Sequence, residues 1–172
     1  MRRLSATLWV IGFFLLAAWA GWELVRGELS GRPGGADLAG RVVAVVDGDT
    51  VRVRVDGREE KVRYIGVDTP ETKRPGGPVE CFGPAASAAN ERLVGGREVR
   101  LEVGEQDRDR YDRLLAYVYR AGDGRLVNET LLREGYARPL AIAPNLAHAD
   151  AFAALADEAR EAGRGLWSAC GS

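Results

Sequence analysis

Short segments that alternate apolar with charged residues dominate the middle of this chain, and they constrain its fold more than any other feature. Val51, Val53 and Val55 alternate with charged residues, and the same period of two recurs over residues 99–103. A period of two is typical of strands that bury one face and expose the other. Glycine provides 22 of the 172 residues, nearly twice its usual share of about 7%, which favours many turns over a helical bundle. The sequence therefore predicts a sheet of short strands.

The order of the predicted elements matches a small Greek-key barrel. Three strands are followed by a helix that opens at Pro84, then by two more strands and two more helices. Five short strands with a helix between the third and the fourth fit an α+β fold, a five-stranded OB-fold β-barrel with three helices. Asn128 is predicted to cap the second helix, because its amide oxygen can accept a hydrogen bond from the first turn. The strands are predicted over residues 41–46, 51–55, 61–67, 99–103 and 114–119, and the last helix over residues 148–162.

Residues 1–26 are a different kind of sequence and predict a hydrophobic helix ahead of the barrel. Arg2 and Arg3 precede an uncharged, mostly apolar run over residues 4–22, which is about long enough to cross the bilayer as a helix. Basic residues before such a run predict a signal anchor with its N-terminus inside and its C-terminus outside. The sequence AWA at residues 18–20 resembles a signal-peptidase site, so a cleaved signal peptide is the alternative. Either way the remainder is expected to be extracytoplasmic, anchored to the membrane or secreted.

The sequence after this segment predicts a linker and one folded domain. Residues 27–40 are rich in glycine and have no hydrophobic period, which is typical of a flexible linker. The folded domain is then expected over residues 41–172. The chain has 24 Lys and Arg against 25 Asp and Glu, a formal net charge of −1. This balance excludes a protein that grips nucleic acid by bulk positive charge alone.

The two cysteines of the chain are Cys81, in the middle of the domain, and Cys170, near its end. In an exported protein an even number of cysteines favours a disulfide. A bridge between them would stabilise the fold by about 4–5 kcal/mol in the chain-entropy account of loop closure. Two unrelated thiols are the alternative.

Three charged patches occur where the loops and strand ends of a barrel are expected. They are DGDT at residues 47–50, Arg63 followed by DTPE at residues 68–71, and DRDRYDR at residues 107–113. Each patch alone is compatible with a turn or a solvated loop. Together they supply what phosphodiester hydrolysis requires, which is a hard cation, donors for the developing charge and a base for water. Their convergence in space is a hypothesis at this point.

The chemistry of individual side chains gives this hypothesis its residues. Asp49 and Asp68 offer the carboxylate oxygens that Ca²⁺ prefers. Arg63 and Arg113 can each present a planar fork of donors to a phosphate. Glu71, which follows Asp68 closely, is a candidate to orient or deprotonate the attacking water.

Five segments of the chain resemble the staphylococcal nuclease family, in the same order and with matching spacing. They are VDGDTV at residues 46–51, VRYIGVDTPETK at 62–73, VECFGPAAS at 79–87, DRYDRLLAYVY at 109–119 and VNETLLREGYA at 127–137. The similarity extends from about residue 40 to Trp167. It implies an OB-fold barrel with three helices and a Ca²⁺-dependent, sugar-nonspecific nuclease, acting as an endonuclease or exonuclease. Such an enzyme hydrolyses DNA and RNA and leaves 3′-phosphate ends.

The resemblance also implies roles for individual residues. The implied Ca²⁺ ligands are Asp49, Asp68 and the backbone carbonyl of Thr69, with Asp47 close to the metal but behind its ligands. Glu71 is implied as the general base or water-orienting group, Arg63 and Arg113 as contacts to the scissile phosphate, and Arg110 with Tyr111 as contacts to another phosphate of the nucleotide.

Two features depart from the family pattern. The segment ARPLAIAP at residues 137–144 has no aromatic residue where the family has two tyrosines that help form the nucleobase pocket, and the domain is not strongly basic. The alternative function is a non-catalytic OB-fold module that binds nucleic acid or protein. Such modules lack one or more of the acidic or arginine positions, all of which are present here, so the sequence favours the enzyme. A monomer is expected.

Overall fold

The structure is a computed structural model that describes residues 36–72 and 78–170. The predicted signal anchor or signal peptide at residues 1–26 and most of the predicted linker lie outside these residues. Within them, none of the helices combines the length and the apolar character needed to cross a bilayer.

Five strands close into a barrel in the order β1-β2-β3-β6-β5, and two short strands, β4 and β7, form a separate sheet. Their bounds are β1 Asp37–Asp47, β2 Thr50–Val55, β3 Arg58–Tyr64, β4 Gly66–Asp68, β5 Glu98–Arg108, β6 Leu114–Arg120 and β7 Arg138–Leu140. The helices are α1 Gly83–Val94, α2 Val127–Arg133, α3 Ala149–Glu161 and the short α4 Leu166–Ala169. The predicted five-stranded barrel is confirmed, including the helix between the third and fourth barrel strands.

The alternating valines form the interior of the barrel. Val51 and Val53 on β2 are fully buried, as are Val62 on β3, Leu101 on β5 and Val118 on β6. The charged residues between them face solvent, so the period of two in the sequence corresponds to the two faces of one closed sheet. β1 starts at Asp37, within the range predicted as linker, because residues 37–41 pair with β5.

The predicted third strand, residues 61–67, is interrupted at Ile65. Gly66 has a φ of +78°, and a Cβ there would lie 2.6 Å from the ring of Phe152, so only glycine fits at this bend. Residues 66–68 leave the barrel and pair with β7 instead, with Asp68 opposite Arg138. The break matters for the site because it directs β4, which ends at Asp68, away from the strands of the barrel.

The prediction that Asn128 caps a helix is wrong. The N-cap position of α2 is Leu126, without a side-chain cap, and Asn128 is fully buried two residues further on. Its Nδ2 donates to the carbonyl of Ile65 at 2.8 Å, and its Oδ1 accepts from the N–H of Val118 at 3.0 Å. Asn128 therefore satisfies two backbone groups that would otherwise be buried without partners, one of them at the bend after β3.

The predicted disulfide is present. Cys81 and Cys170 are bonded, with their Cα atoms 5.9 Å apart and a separation of 89 positions in sequence. The bridge joins the segment before α1 to the end of α4 and so fixes the C-terminus of the domain against its middle.

Replacing Asn128 by Ala tests its role at the bend. The change leaves two buried backbone groups unpaired, at about 1–3 kcal/mol each, so we expect the free energy of unfolding in urea to fall by about 2–4 kcal/mol. Asn145→Ala is the matched control, because its amide binds the partly exposed backbone of Gln106, where water can replace it. A loss for Asn128→Ala no larger than that for Asn145→Ala would contradict this account.

Candidate active site

The first two charged patches meet at the guanidinium of Arg63. Its Nη1 pairs with Oδ1 of Asp49, and its Nη2 lies 2.8 Å from Oδ1 of Asp68 and 3.1 Å from the carbonyl oxygen of Val67. The side chain of Arg63 is 15% exposed and that of Asp49 is 4% exposed, whereas Asp68 is 56% exposed. Burial would lower the pKa of Arg63, but Asp49 and Asp68 outweigh it and raise that pKa above its ordinary value. The guanidinium therefore stays charged.

Asp49 also holds the segment that follows β4. Its Oδ2 accepts hydrogen bonds from the backbone N–H of Thr69 at 2.9 Å and from the Thr69 hydroxyl at 2.8 Å. Asp49 lies in the turn between β1 and β2, and its own carbonyl accepts from the N–H of Tyr64 at the end of β3. One buried carboxylate thus ties the turn of the first patch to the segment of the second.

Asp47 contacts the far side of the same segment. Its carboxylate accepts from the backbone N–H of Gly48 at 2.9 Å and from the Thr72 hydroxyl at 3.0 Å. Burial would raise the pKa of Asp47, but hydrogen bonds with Glu71, Gly48 and Thr72 outweigh it and hold that pKa below its ordinary value. The buried amide of Asn90 donates to the Asp47 carbonyl at 2.9 Å. Asp47 therefore ties the turn after β1 to Thr72.

The third patch is organised by Asp109. Its Oδ2 lies 2.6 Å from Nε of Arg113, and its Oδ1 accepts from the backbone N–H groups of Tyr111 and Arg113 at 2.9 and 3.0 Å. Burial would raise the pKa of Asp109, but the hydrogen bonds from Arg113 and Tyr111 outweigh it and hold that pKa below its usual value. From the sequence, Asp109 was only one member of a charged patch compatible with a turn or a solvated loop, with no role of its own. Asp109 accepts a hydrogen bond from the backbone N–H two residues later, which is a turn pattern typical of aspartate. That pattern was the signal in the sequence by which Asp109 could have been found.

Arg113 reaches the same cavity as Arg63. Arg113 immediately precedes β6, which pairs in parallel with β3 so that Arg63 lies opposite Leu115. The two arginines line a cavity of about 210 Å³ together with Gln106, Asp109, Leu115, Leu140, Ile142 and Asn145. Leu140 and Ile142 belong to the segment in which the family has its two tyrosines, so aliphatic side chains stand in this part of the cavity.

Arg110 and Tyr111 lie on the exposed side of the loop. Nη2 of Arg110 donates to the Tyr111 hydroxyl at 2.7 Å, and the guanidinium of Arg113 is 5.5 Å from the centre of the Tyr111 ring. Tyr111 is 64% exposed. The predicted pair is therefore adjacent to Arg113 and exposed to solvent.

The acidic groups have the chemistry of a site for a hard cation. Among the described residues no group of three or more His, Cys, Asp or Glu side chains is arranged to hold a metal ion. Asp49 and Asp68, however, both direct a carboxylate oxygen at the single guanidinium of Arg63. Two carboxylates completed by a backbone carbonyl and water match the all-oxygen coordination of Ca²⁺. Asp49 and Asp68 thus have the chemistry of ligands for such an ion, and in this structure both bind Arg63.

Comparisons with known proteins agree with this geometry. A family model described as "Staphylococcal nuclease homologue" matches residues 61–169. Endonuclease YncB of Bacillus subtilis (strain 168) is 44% identical over 128 residues, which cover 73% of this chain and 60% of that protein. Thermonuclease of Staphylococcus hyicus is 39% identical over 128 residues, covering 74% of this chain and 75% of that protein. The SPbeta prophage-derived endonuclease YokF of B. subtilis is 45% identical over 125 residues, covering 72% of this chain and 42% of that protein. The match thus spans about three-fifths of YncB and less than half of YokF.

Replacing Asp109 by Asn tests whether this carboxylate orders the loop before β6. Because the folded-state pKa of Asp109 lies below its ordinary value, its stabilisation is complete above the unfolded pKa of about 3.9 and is lost as the pH falls through the lowered folded pKa. We expect Asp109→Asn to be less stable than the wild type in urea near neutral pH, and the difference to shrink as the pH falls below the unfolded pKa of about 3.9.

Asp112→Asn is the control for this experiment, because the Asp112 side chain is 87% exposed. Its stability relative to the wild type should change far less over the same pH range. A stability difference for Asp109→Asn that is equally large in neutral and in acid solution would contradict the role assigned to the carboxylate.

Proposed function

This chain belongs to the staphylococcal nuclease family, and from this we propose that it is a Ca²⁺-dependent, sugar-nonspecific nuclease. It hydrolyses phosphodiester bonds of DNA and RNA, breaks the bond between phosphorus and the 5′ oxygen, and leaves 3′-phosphate ends. The observation that carries the proposal is the arrangement around Arg63. This arginine joins Asp49 to Asp68 and shares a cavity with Arg113.

The two arginines bind the scissile phosphate in this mechanism. A guanidinium offers two parallel donors to phosphate oxygens, and it stabilises the extra negative charge that develops on them during attack. Asp109 holds Arg113 through Nε, so the two Nη groups are the ones that donate to the phosphate. In Arg63, by contrast, Asp49 and Asp68 bind Nη1 and Nη2 themselves, which fixes the plane of the guanidinium. Orientation before binding is what makes such donors effective.

Glu71 acts on the attacking water. It removes a proton as the water oxygen bonds to phosphorus, and the 5′ oxygen leaves on the opposite side and is protonated by solvent. Asp49, Asp68 and the Thr69 carbonyl would hold Ca²⁺, which supplies further positive charge to the transition state. Asp47 holds Thr72, the residue after Glu71, in place by accepting a hydrogen bond from its hydroxyl. Arg110 and Tyr111 contact a neighbouring phosphate of the substrate.

We also propose that the enzyme acts outside the cytoplasm as a monomer. Residues 4–22 anchor it with its C-terminus outside, or a signal peptide is removed and the enzyme is secreted. The Cys81–Cys170 disulfide supports this location, because structural disulfides persist in oxidising compartments. Extraction of the cell envelope with alkaline carbonate tests the anchor, since a retained full-length chain indicates an anchored protein and a released shorter chain indicates cleavage.

Removing the cation and replacing Glu71 by Gln test the mechanism together. We expect the purified full chain to cleave single-stranded DNA and RNA with Ca²⁺, to stop when EGTA is added, and to resume when Ca²⁺ is restored. Glu71→Gln should lower kcat by about 10²–10⁴-fold while DNA binding persists. Glu98→Gln is the control, because Glu98 is 60% exposed on β5 and 3.7 Å from Arg41. Binding of DNA with no cleavage under any Ca²⁺ concentration would instead support the non-catalytic OB-fold module.

Replacing Arg63 or Arg113 by Lys keeps the positive charge but removes the planar fork. We expect each change to lower kcat by about 10²–10³-fold, as for other donors to a transition-state oxyanion. Arg63→Lys should also destabilise the fold more than Arg113→Lys, since it breaks a nearly buried pairing with Asp49. Arg54→Lys, on an exposed side chain paired with Glu59, should leave kcat unchanged. Full activity in either of the first two variants would contradict the assigned roles.

A further inference from the structure

Glu80, which lies outside the site described above, forms hydrogen bonds with both the backbone N–H and the backbone carbonyl of Glu71. The carboxylate of Glu80 accepts a hydrogen bond from the backbone N–H of Glu71 at 3.1 Å. The backbone N–H of Glu80 donates to the carbonyl of Glu71 at 2.9 Å. These two bonds fix the position of the Glu71 backbone relative to Glu80.

The segment that carries Glu80 is covalently tied to the core. Cys81 is bonded to Cys170 at the end of α4, and α4 begins with Leu166, which is 1% exposed and donates its N–H to the carbonyl of Gly135. By contrast, Val79 is 59% exposed and Cys81 is also exposed. Little apolar burial holds residues 78–81, so the disulfide adds a covalent link to the interior beside the hydrogen bonds of Glu80.

The start of α1 packs against the same backbone. A Cβ at Gly83 would lie 2.9 Å from the carbonyl oxygen of Glu71 and 3.0 Å from that of Pro70, and Gly83 donates its N–H to the carbonyl of Glu80. The disulfide also lines a cavity of about 210 Å³ with Asp68, Thr69, Pro70, Glu80, Arg138 and Leu166. The bridge and the segment carrying the proposed cation ligands therefore share one cavity.

We propose that Glu80 is a positioning residue for Glu71 and that the Cys81–Cys170 disulfide holds Glu80 in place, so that turnover depends on the oxidation state of the bridge. This inference rests on the nuclease function proposed above. A shift of about 1 Å in a catalytic group can cost about 100-fold in rate, and loss of the bridge frees the segment that fixes the Glu71 backbone. The kcat of the protein is then high in an oxidising compartment and low wherever thiols stay reduced.

Variants of Glu80 test the positioning role at a temperature well below unfolding. Glu80→Ala removes the acceptor, and we expect kcat to fall about 10–100-fold with KM nearly unchanged. Glu80→Gln keeps an oxygen acceptor at the same length and should restore most of kcat. If Glu80 acts through Glu71, Glu80→Ala should cause almost no further loss in a Glu71→Gln background, because coupled residues are not additive.

Reduction tests the role of the bridge. Treating the wild type with a phosphine reductant, followed by alkylation of the free thiols, should lower kcat several-fold without unfolding the protein, as checked by circular dichroism. The Cys81→Ser/Cys170→Ser variant should match the reduced wild type and should not respond to the reductant. Amide hydrogen exchange of Glu71, measured by NMR, should be faster in the reduced protein and in Glu80→Ala than in the oxidised wild type.

The outcomes separate this inference from the proposed function. Equal kcat in the oxidised and reduced wild type, or a full additional loss from Glu80→Ala in the Glu71→Gln background, would overturn the inference while the nuclease stands. Unchanged exchange of the Glu71 amide in Glu80→Ala would overturn it whether or not the protein is active. An oxidised wild type that binds but never cleaves nucleic acid would overturn the proposed function, and the catalytic part of this inference with it.

Discussion

The ion pairs of Arg63 are the interaction on which the rest of the site depends. A guanidinium that is only 15% exposed is stable in the folded protein only if nearby carboxylates compensate its charge. Asp49 and Asp68 provide this compensation from two separate segments, and Asp49 in turn binds the backbone and hydroxyl of Thr69. The requirement to neutralise one buried charge thus brings together the residues that would hold a cation and contact a phosphate.

The barrel supplies what these ion pairs need, which is a fixed approach of residues far apart in sequence. Parallel pairing of β3 with β6 brings the loop before β6 next to Arg63, although 50 positions separate Arg113 from that residue. The bend at Gly66 directs Asp68 out of the barrel ladder, and Asn128 fixes the bend by binding the Ile65 carbonyl. Residues in the core of the fold therefore determine the geometry of a site on its surface.

The sequence predicted those parts of the fold that depend on local pattern. Alternating valines predicted the barrel strands, because a period of two has one structural interpretation when it is bounded by turn residues. The same reasoning failed at Asn128, since its partners at Ile65 and Val118 come from other elements and leave no local signal. Asp109 was missed for a different reason. Its partners Tyr111 and Arg113 are local, but its five-residue loop has the composition of a solvated loop, and only the closure of the barrel brings it to the cavity that Arg63 lines. The residues of the site were predictable as chemical types, but their convergence depended on tertiary pairing.

The near-neutral charge of the chain is consistent with a site of this kind. Asp49 and Asp68 neutralise Arg63, and Asp109 neutralises Arg113, so without a cation the two arginines present little net charge to a polyanion. A cation held by the two carboxylates would take over part of the compensation that Arg63 now receives, and the guanidinium could then share its donors with a phosphate. The substrate and the cation then favour each other's binding, because each lowers the free-energy cost of placing the other's charge in the site. Local compensation of this sort, and not a broad basic surface, is the means by which an almost neutral chain can act on nucleic acid.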